Sequence, residues 1–199
     1  MSEPGWASCY VFVEGRSPEQ VAALFGGHLA GPLLSAREAD TPTAPWPSVG
    51  PAGGRWTMVI DPHFEFDDRS DDDLAPGSVG TRIVRLAVIE REWFSHTKVW
   101  VDGRAAWEVS FEGELDDRPL VGGRFPYDLD EFARAISLAG LQDHQTCYRV
   151  PIAAVERLVG WRRDLNDGQP DEARFARLVY PRPAGVAAEV AQDLGGAVP

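Results

Sequence analysis

The chain is poor in the residues that build covalent or metal scaffolds. Its 199 residues include two cysteines, Cys9 and Cys147, and four histidines. Two cysteines exclude a fold held together by a set of disulfides, and no zinc-ligand spacing surrounds them. Positive charge is scarce too. The 19 basic residues face 31 acidic ones, a formal net charge of −12. Such a chain repels phosphate backbones and anionic lipid, which argues against nucleic acid or membrane as partner. Lys98 is the single lysine. That arginine bias is expected of a bacterium with a GC-rich genome. No apolar run approaches the ~20 residues that cross a bilayer, and no basic-then-apolar segment opens the sequence. A cytoplasmic protein is the expectation. No high-specificity catalytic motif and no cofactor-binding motif occurs, so function has to be read from surfaces.

Core-forming material is plentiful, with 44% hydrophobic and 10% aromatic residues. The length favours one domain. Residues 1–180 are expected to form a single α+β domain, and 181–199, rich in Pro, Ala and Gly, a flexible tail.

The organising stretch runs from Arg82 to Glu114. Residues 82–90 are apolar on both faces, the pattern of a central strand covered on both sides. Two further strands follow, joined at Asp102-Gly103. A two-residue type I′ turn there would put His96 and Lys98 on the face of Trp107, Val109 and Phe111. A three-residue loop with a bulge at Gly103 pairs Trp100 with Arg104 and turns both cations away. Burying Lys98 without a partner costs several kcal/mol, so the bulged register is expected. Its apolar face carries Trp93, Thr97, Val99, Val101, Ala105, Trp107, Val109 and Phe111. Its polar face carries His96 opposite Glu108, Lys98 diagonal to it, and Trp100 alongside. His96, Lys98 and Glu108 are the candidate acid–base or anion-binding group. Cross-strand ion pairing on a wet face is the blander alternative.

Upstream, residues 8–13 read as a strand and Ser17-Pro18-Glu19-Gln20 as a helix start with a capping box. Residues 30–54 hold five prolines and four glycines, Gly50, Gly53 and Gly54 among them, spacing that predicts no regular element. Trp46, between two of those prolines, is either an exposed recognition residue or the pin of a surface loop. Residues 56–61 form a strand. If its pleat continues, Asp61, His63 and Glu65 share one face and can hold a divalent metal. Asp67, Asp68, Asp71, Asp72 and Asp73 follow without calcium-loop spacing and read as a solvated acidic loop. Downstream, 115–126 reads as a loop, Asp128 caps a helix, 146–150 reads as a strand, and Pro151 starts a further helix.

These elements predict a mostly antiparallel sheet of about six strands, with two to three helices chiefly on one face. The composition points to a non-catalytic acidic binding protein, in concrete form a toxin-neutralising immunity-type protein. Trp46, Trp100 and the five aspartates would face a partner with a basic surface. The alternatives are a metal-assisted hydrolase using Asp61, His63 and Glu65, and a small-ligand sensor with a Trp-lined pocket.

Overall fold

Alternation along one strand sets the architecture. In β1 (Ala7–Glu14), Tyr10 and Phe12 enter one apolar cluster, while Cys9, Val11 and Val13 enter another. A strand apolar on both sides needs a covering layer on each side of its sheet. The computed structural model describes residues 7–41, 43–64, 66, 71–162 and 173–180, the side chains of 71–73 excepted.

After β1 come α1 (Pro18–Leu24), β2 (His28–Ser35), α2 (Ala36–Ala39), β3 (Ser48–Gly53) and β4 (Trp56–Asp61). Then follow α3 (Asp71–Gly77), β5 (Arg82–Ile89), β6 (Phe94–Val101), β7 (Arg104–Glu112) and β8 (Leu120–Gly123). The described chain closes with α4 (Leu129–Ile136), α5 (His144–Val159) and β9 (Arg174–Val179). The strands form one antiparallel sheet in the order β2-β9-β3-β4-β1-β5-β6-β7-β8. The α+β class therefore holds, with nine strands among the described residues rather than six.

The helices divide between the faces. Residues of α4, α5 and α2 enter the cluster built on Tyr10, Phe12 and Phe111. Those of α1 and α3 enter the cluster built on Val11, Ile83 and Trp100. We call these the α5 face and the α1 face. No described helix is long and apolar enough to cross a membrane.

Local signals explain the first elements. The Ser17 hydroxyl accepts from the Gln20 amide at 3.3 Å, and the Gln20 side chain accepts from the Ser17 amide at 2.9 Å. This reciprocal box starts α1 as the sequence predicts. β5 is buried on both faces between β1 and β6, also as predicted.

Three expectations are corrected. First, 146–150 is helix: α5 runs unbroken from His144 through Pro151. The Asp143 carboxylate caps it, accepting from the amides of Gln145 at 3.3 Å and Thr146 at 3.2 Å. The β-prone residues Thr146, Cys147, Tyr148 and Val150 are overridden by burial against the sheet. Pro151 removes one intrahelical donor. Nearby, Ser95 and Thr97 of β6 donate hydroxyls to the carbonyls of Tyr148, at 2.7 Å, and Pro151, at 2.8 Å. Second, β2, α2 and β3 occupy the Pro-rich stretch. Pro32 is tolerated because β2 is an edge strand and its register shifts between Ala30 and Leu34. Third, 115–126 contains β8 at the opposite edge. Residues 181–199, expected to be a tail, lie outside the described residues.

Candidate functional site

The β6–β7 hairpin decides which way the candidate cations point. Val101 pairs with Arg104, so Asp102 and Gly103 form a two-residue turn with φ of 48° and 82°. That is the tight turn the sequence argument set aside, and its twist suits a hairpin. The register then shifts between Val99 and Trp100, so that Trp100 faces Ala105 while Val99 faces Trp107. The bulge has moved from Gly103 to the small residues Ala105 and Ala106. Beyond it the faces come out as argued: Thr97 and Val99 lie with Trp107 and Val109, and His96 and Lys98 with Glu108 and Ser110. Arg104 and Ala105, on the turn side of the bulge, exchange faces.

Pairing along the polar face is shifted by two residues. Lys98 is directly opposite Glu108, and His96 is opposite Ser110. Glu108 Oε2 lies 3.3 Å from Lys98 Nζ and 3.4 Å from His96 Nε2. The side chains of Lys98 and His96 are 17% and 19% exposed, that of Glu108 41%. One carboxylate thus bridges the Lys98 ammonium and the His96 imidazole, both partly sunken, from an open side. Across β6, Arg85 of β5 is Lys98's other neighbour. Arg85 and Lys98 each stand 5.7 Å from the Trp100 ring centre. Trp100 is fully buried. Its expected role as an exposed binding residue has no surface to act through, because the α1 face is covered there by α1 and α3 rather than wet. The group is an ion-pair network over a tryptophan floor.

The second candidate group does not form as a continued pleat. β4 ends at Asp61, and Phe64 adopts a left-handed φ of 59°. Asp61 is fully buried, and its two oxygens accept from the amides of His63 at 3.0 Å and Phe66 at 2.7 Å. It caps the turn leaving β4. His63 is exposed on that turn, while Phe66 is fully buried with its ring 4.8 Å from that of Phe25. Glu65 lies outside the described residues. Among the described residues no group of three potential ligands gathers around a common point. Asp61 and His96 share the α1 face, through Cys9 and Ala87. Three strand spacings separate them, roughly 14 Å, so the two groups do not converge.

Of the acidic run, Asp67 and Asp68 lie outside the described residues, whereas Asp71, Asp72 and Asp73 open α3 instead of extending a loop. Trp46 is half-buried, with the Arg177 guanidinium 4.8 Å from its ring centre. The Pro47 carbonyl accepts from the Leu178 amide at 2.9 Å. The Pro-rich loop is therefore fastened to β9. The cysteines offer no nucleophile: both are buried, and burial pushes the Cys147 thiol above its ordinary pKa.

Sequence reasoning missed the opposite end of the sheet. Trp93 was expected on the inner apolar face. It lies instead in the turn between β5 and β6, with a left-handed φ of 50° and 45% exposure. Its ring stands edge-on to Tyr148 at 5.6 Å. A bulky residue in that conformation is strained. Exposed Glu90, Glu92, Glu114 and Asp117 stand on this turn and on the turn between β7 and β8, together with exposed Leu115. Arg91 and Arg118 are the basic residues of the two turns. The signal available in sequence was the density of acids flanking Trp93. No family model matches the chain, and comparison with curated proteins and with solved structures also finds no match.

Proposed function

We propose that the chain is a non-catalytic acidic binding protein that captures a partner with a basic surface. A toxin-neutralising, immunity-type protein of the cytoplasm is its concrete form. The carrying observation is Trp93, an exposed aromatic in a strained turn that also carries exposed Glu90 and Glu92. Aromatic anchors concentrate binding energy, and surrounding charge of one sign speeds encounter with a partner of the other. The net charge of −12 supports the same direction of steering. A metal-assisted hydrolase is less well supported, because both Asp61 oxygens are engaged by backbone amides.

Calorimetry against the protein encoded beside this chain tests the reading. We expect a stoichiometric complex that weakens as salt rises, with no turnover of ester or phosphoester substrates. Absence of binding to that protein and to a panel of basic proteins would refute it.

A further inference from the structure

The two edges of the sheet are treated differently. β2, at one edge, carries Pro32 and a register shift between Ala30 and Leu34. Proline and bulges spoil an edge as a template for a further strand. β8, at the other edge, carries neither. It pairs with β7 in one continuous register from Ser110↔Leu120 to Trp107↔Gly123. Its side chains are Leu120 and Val121, 57% and 43% exposed, followed by two glycines. No charged residue lies within β8 itself.

Glu108 adds a chemical preference. It is opposite Gly122, and a Cβ placed on Gly122 would stand 2.8 Å from Glu108 Oε1. The glutamate therefore reaches out over the edge strand, where a side chain at position 122 would block it. Leu120 is two residues away on the same face, and Val121 faces the other side. Exposed Glu114, Asp117 and Arg118 precede the strand, with Arg118 Nη2 3.7 Å from Asp130 Oδ1, and exposed Arg124 follows it.

We propose that β8 is a docking edge, onto which a partner adds an extended segment carrying a basic side chain over Glu108 and an apolar one beside Leu120. The main chains supply the ladder of hydrogen bonds, and the alternating side chains supply selectivity. The occupant is basic because Glu108, the nearest side chain on the α1 face, is half-exposed and turns Oε1 toward Gly122 on the edge while its Oε2 meets Lys98 and His96. A second copy of this chain would bring the same charges together. The proposal rests on the reading of the chain as an acidic binding protein and names the place where that binding occurs.

The probe is a labelled, end-blocked octapeptide of alternating Arg and Val, with an alternating Glu and Val peptide as its counterpart. Fluorescence anisotropy reads binding, and amide hydrogen exchange reads residues 120–123. We expect the Arg/Val peptide to bind at least tenfold more tightly than the Glu/Val peptide and to slow exchange in β8. Leu120→Lys and Val121→Lys, both at exposed positions, should each weaken binding at least tenfold, whereas Leu138→Lys, far more exposed and outside the sheet, should not. Binding of a basic partner that ignores both lysine variants and leaves β8 exchange unchanged overturns the edge proposal and leaves the acidic-binder reading standing. Concentration-dependent dimerisation abolished by Val121→Lys also overturns it, in favour of a second copy. Failure of every basic probe, peptide and protein, removes both.

Discussion

Replacement of Asp61 distinguishes a structural carboxylate, which holds the amides of His63 and Phe66, from a metal ligand. Asp61→Ala removes the acceptor for the amides of His63 and Phe66. A hydrogen bond to a charged group contributes about 1.5–3 kcal/mol, and a buried donor left unmet costs about 1–3 kcal/mol. Phe66, fully buried against Phe25, is anchored by one of these bonds, so loosening the turn also loosens an aromatic contact. Part of the loss is offset because a desolvated carboxylate disappears. The net expectation is a destabilisation of about 2–4 kcal/mol for Asp61→Ala, with Asp61→Asn, which keeps one acceptor, near half of that. With a urea m-value of about 2 kcal/mol/M, the Asp61→Ala midpoint falls by about 1–2 M. Added Zn²⁺, Mn²⁺ or Ca²⁺ should leave the midpoint of the parent protein unchanged. A loss below about 0.5 kcal/mol in Asp61→Ala, or a metal-dependent rise in stability that Asp61→Asn abolishes, refutes the assignment of Asp61 as a cap.

Other outcomes follow from other parts of the fold. Trp93→Asn, which tolerates the left-handed conformation, should change stability by no more than about 1 kcal/mol yet weaken partner binding at least tenfold, read by urea denaturation and calorimetry. Gly50→Ala places a methyl 2.6 Å from the Phe175 ring and 2.8 Å from the Arg174 carbonyl; it should destabilise by about 2–3 kcal/mol in the same denaturation assay. Thr97→Val withdraws the donor from the Pro151 carbonyl and should cost about 1 kcal/mol. The Asp143 carboxyl is held below its ordinary value of 3.8, first by the Thr146 hydroxyl and also by the amides of Gln145 and Thr146. A lowered folded-state pKa stabilises above the unfolded value and is lost as pH falls through the folded value. Asp143→Ala should therefore be less stable than the parent at neutral pH, with the gap closing below about pH 4, as followed by circular dichroism melts.

What the sequence made legible was local and periodic. The box Ser17–Gln20, the doubly apolar β5 and the strand 56–61 carry their signals within a few residues, and those signals survive folding. In the hairpin, His96 to Val99 and Trp107 to Ser110 take the expected faces, through a different turn, while Arg104 and Ala105 do not. The cost of burying Lys98 is a global constraint, and it correctly required an odd residue between β6 and β7. Nothing local said whether Gly103 or the pair Ala105-Ala106 would absorb it. The helix α5 was misread because its first two turns are β-prone, and what decides them is burial against β6 and a cap at Asp143. β2 and β8 were missed for a shared reason. Edge strands need pairing on one side only, so they tolerate Pro32 or shrink to four residues and lose the alternation that marks an interior strand. The exposure of the tryptophans was the least legible. Trp100 reads as exposed until α1 and α3 are placed over it, and Trp93 reads as core until the turn twists it outward.

The most direct test of the acidic-binder account is the association rate with the protein encoded beside this chain, followed by stopped flow from low to high salt. Electrostatic capture predicts an association rate that falls at least tenfold between about 20 and 300 mM salt while dissociation changes little, because charges at the rim act on encounter. A rate that ignores salt, or no complex with that protein or any basic protein, would contradict the account.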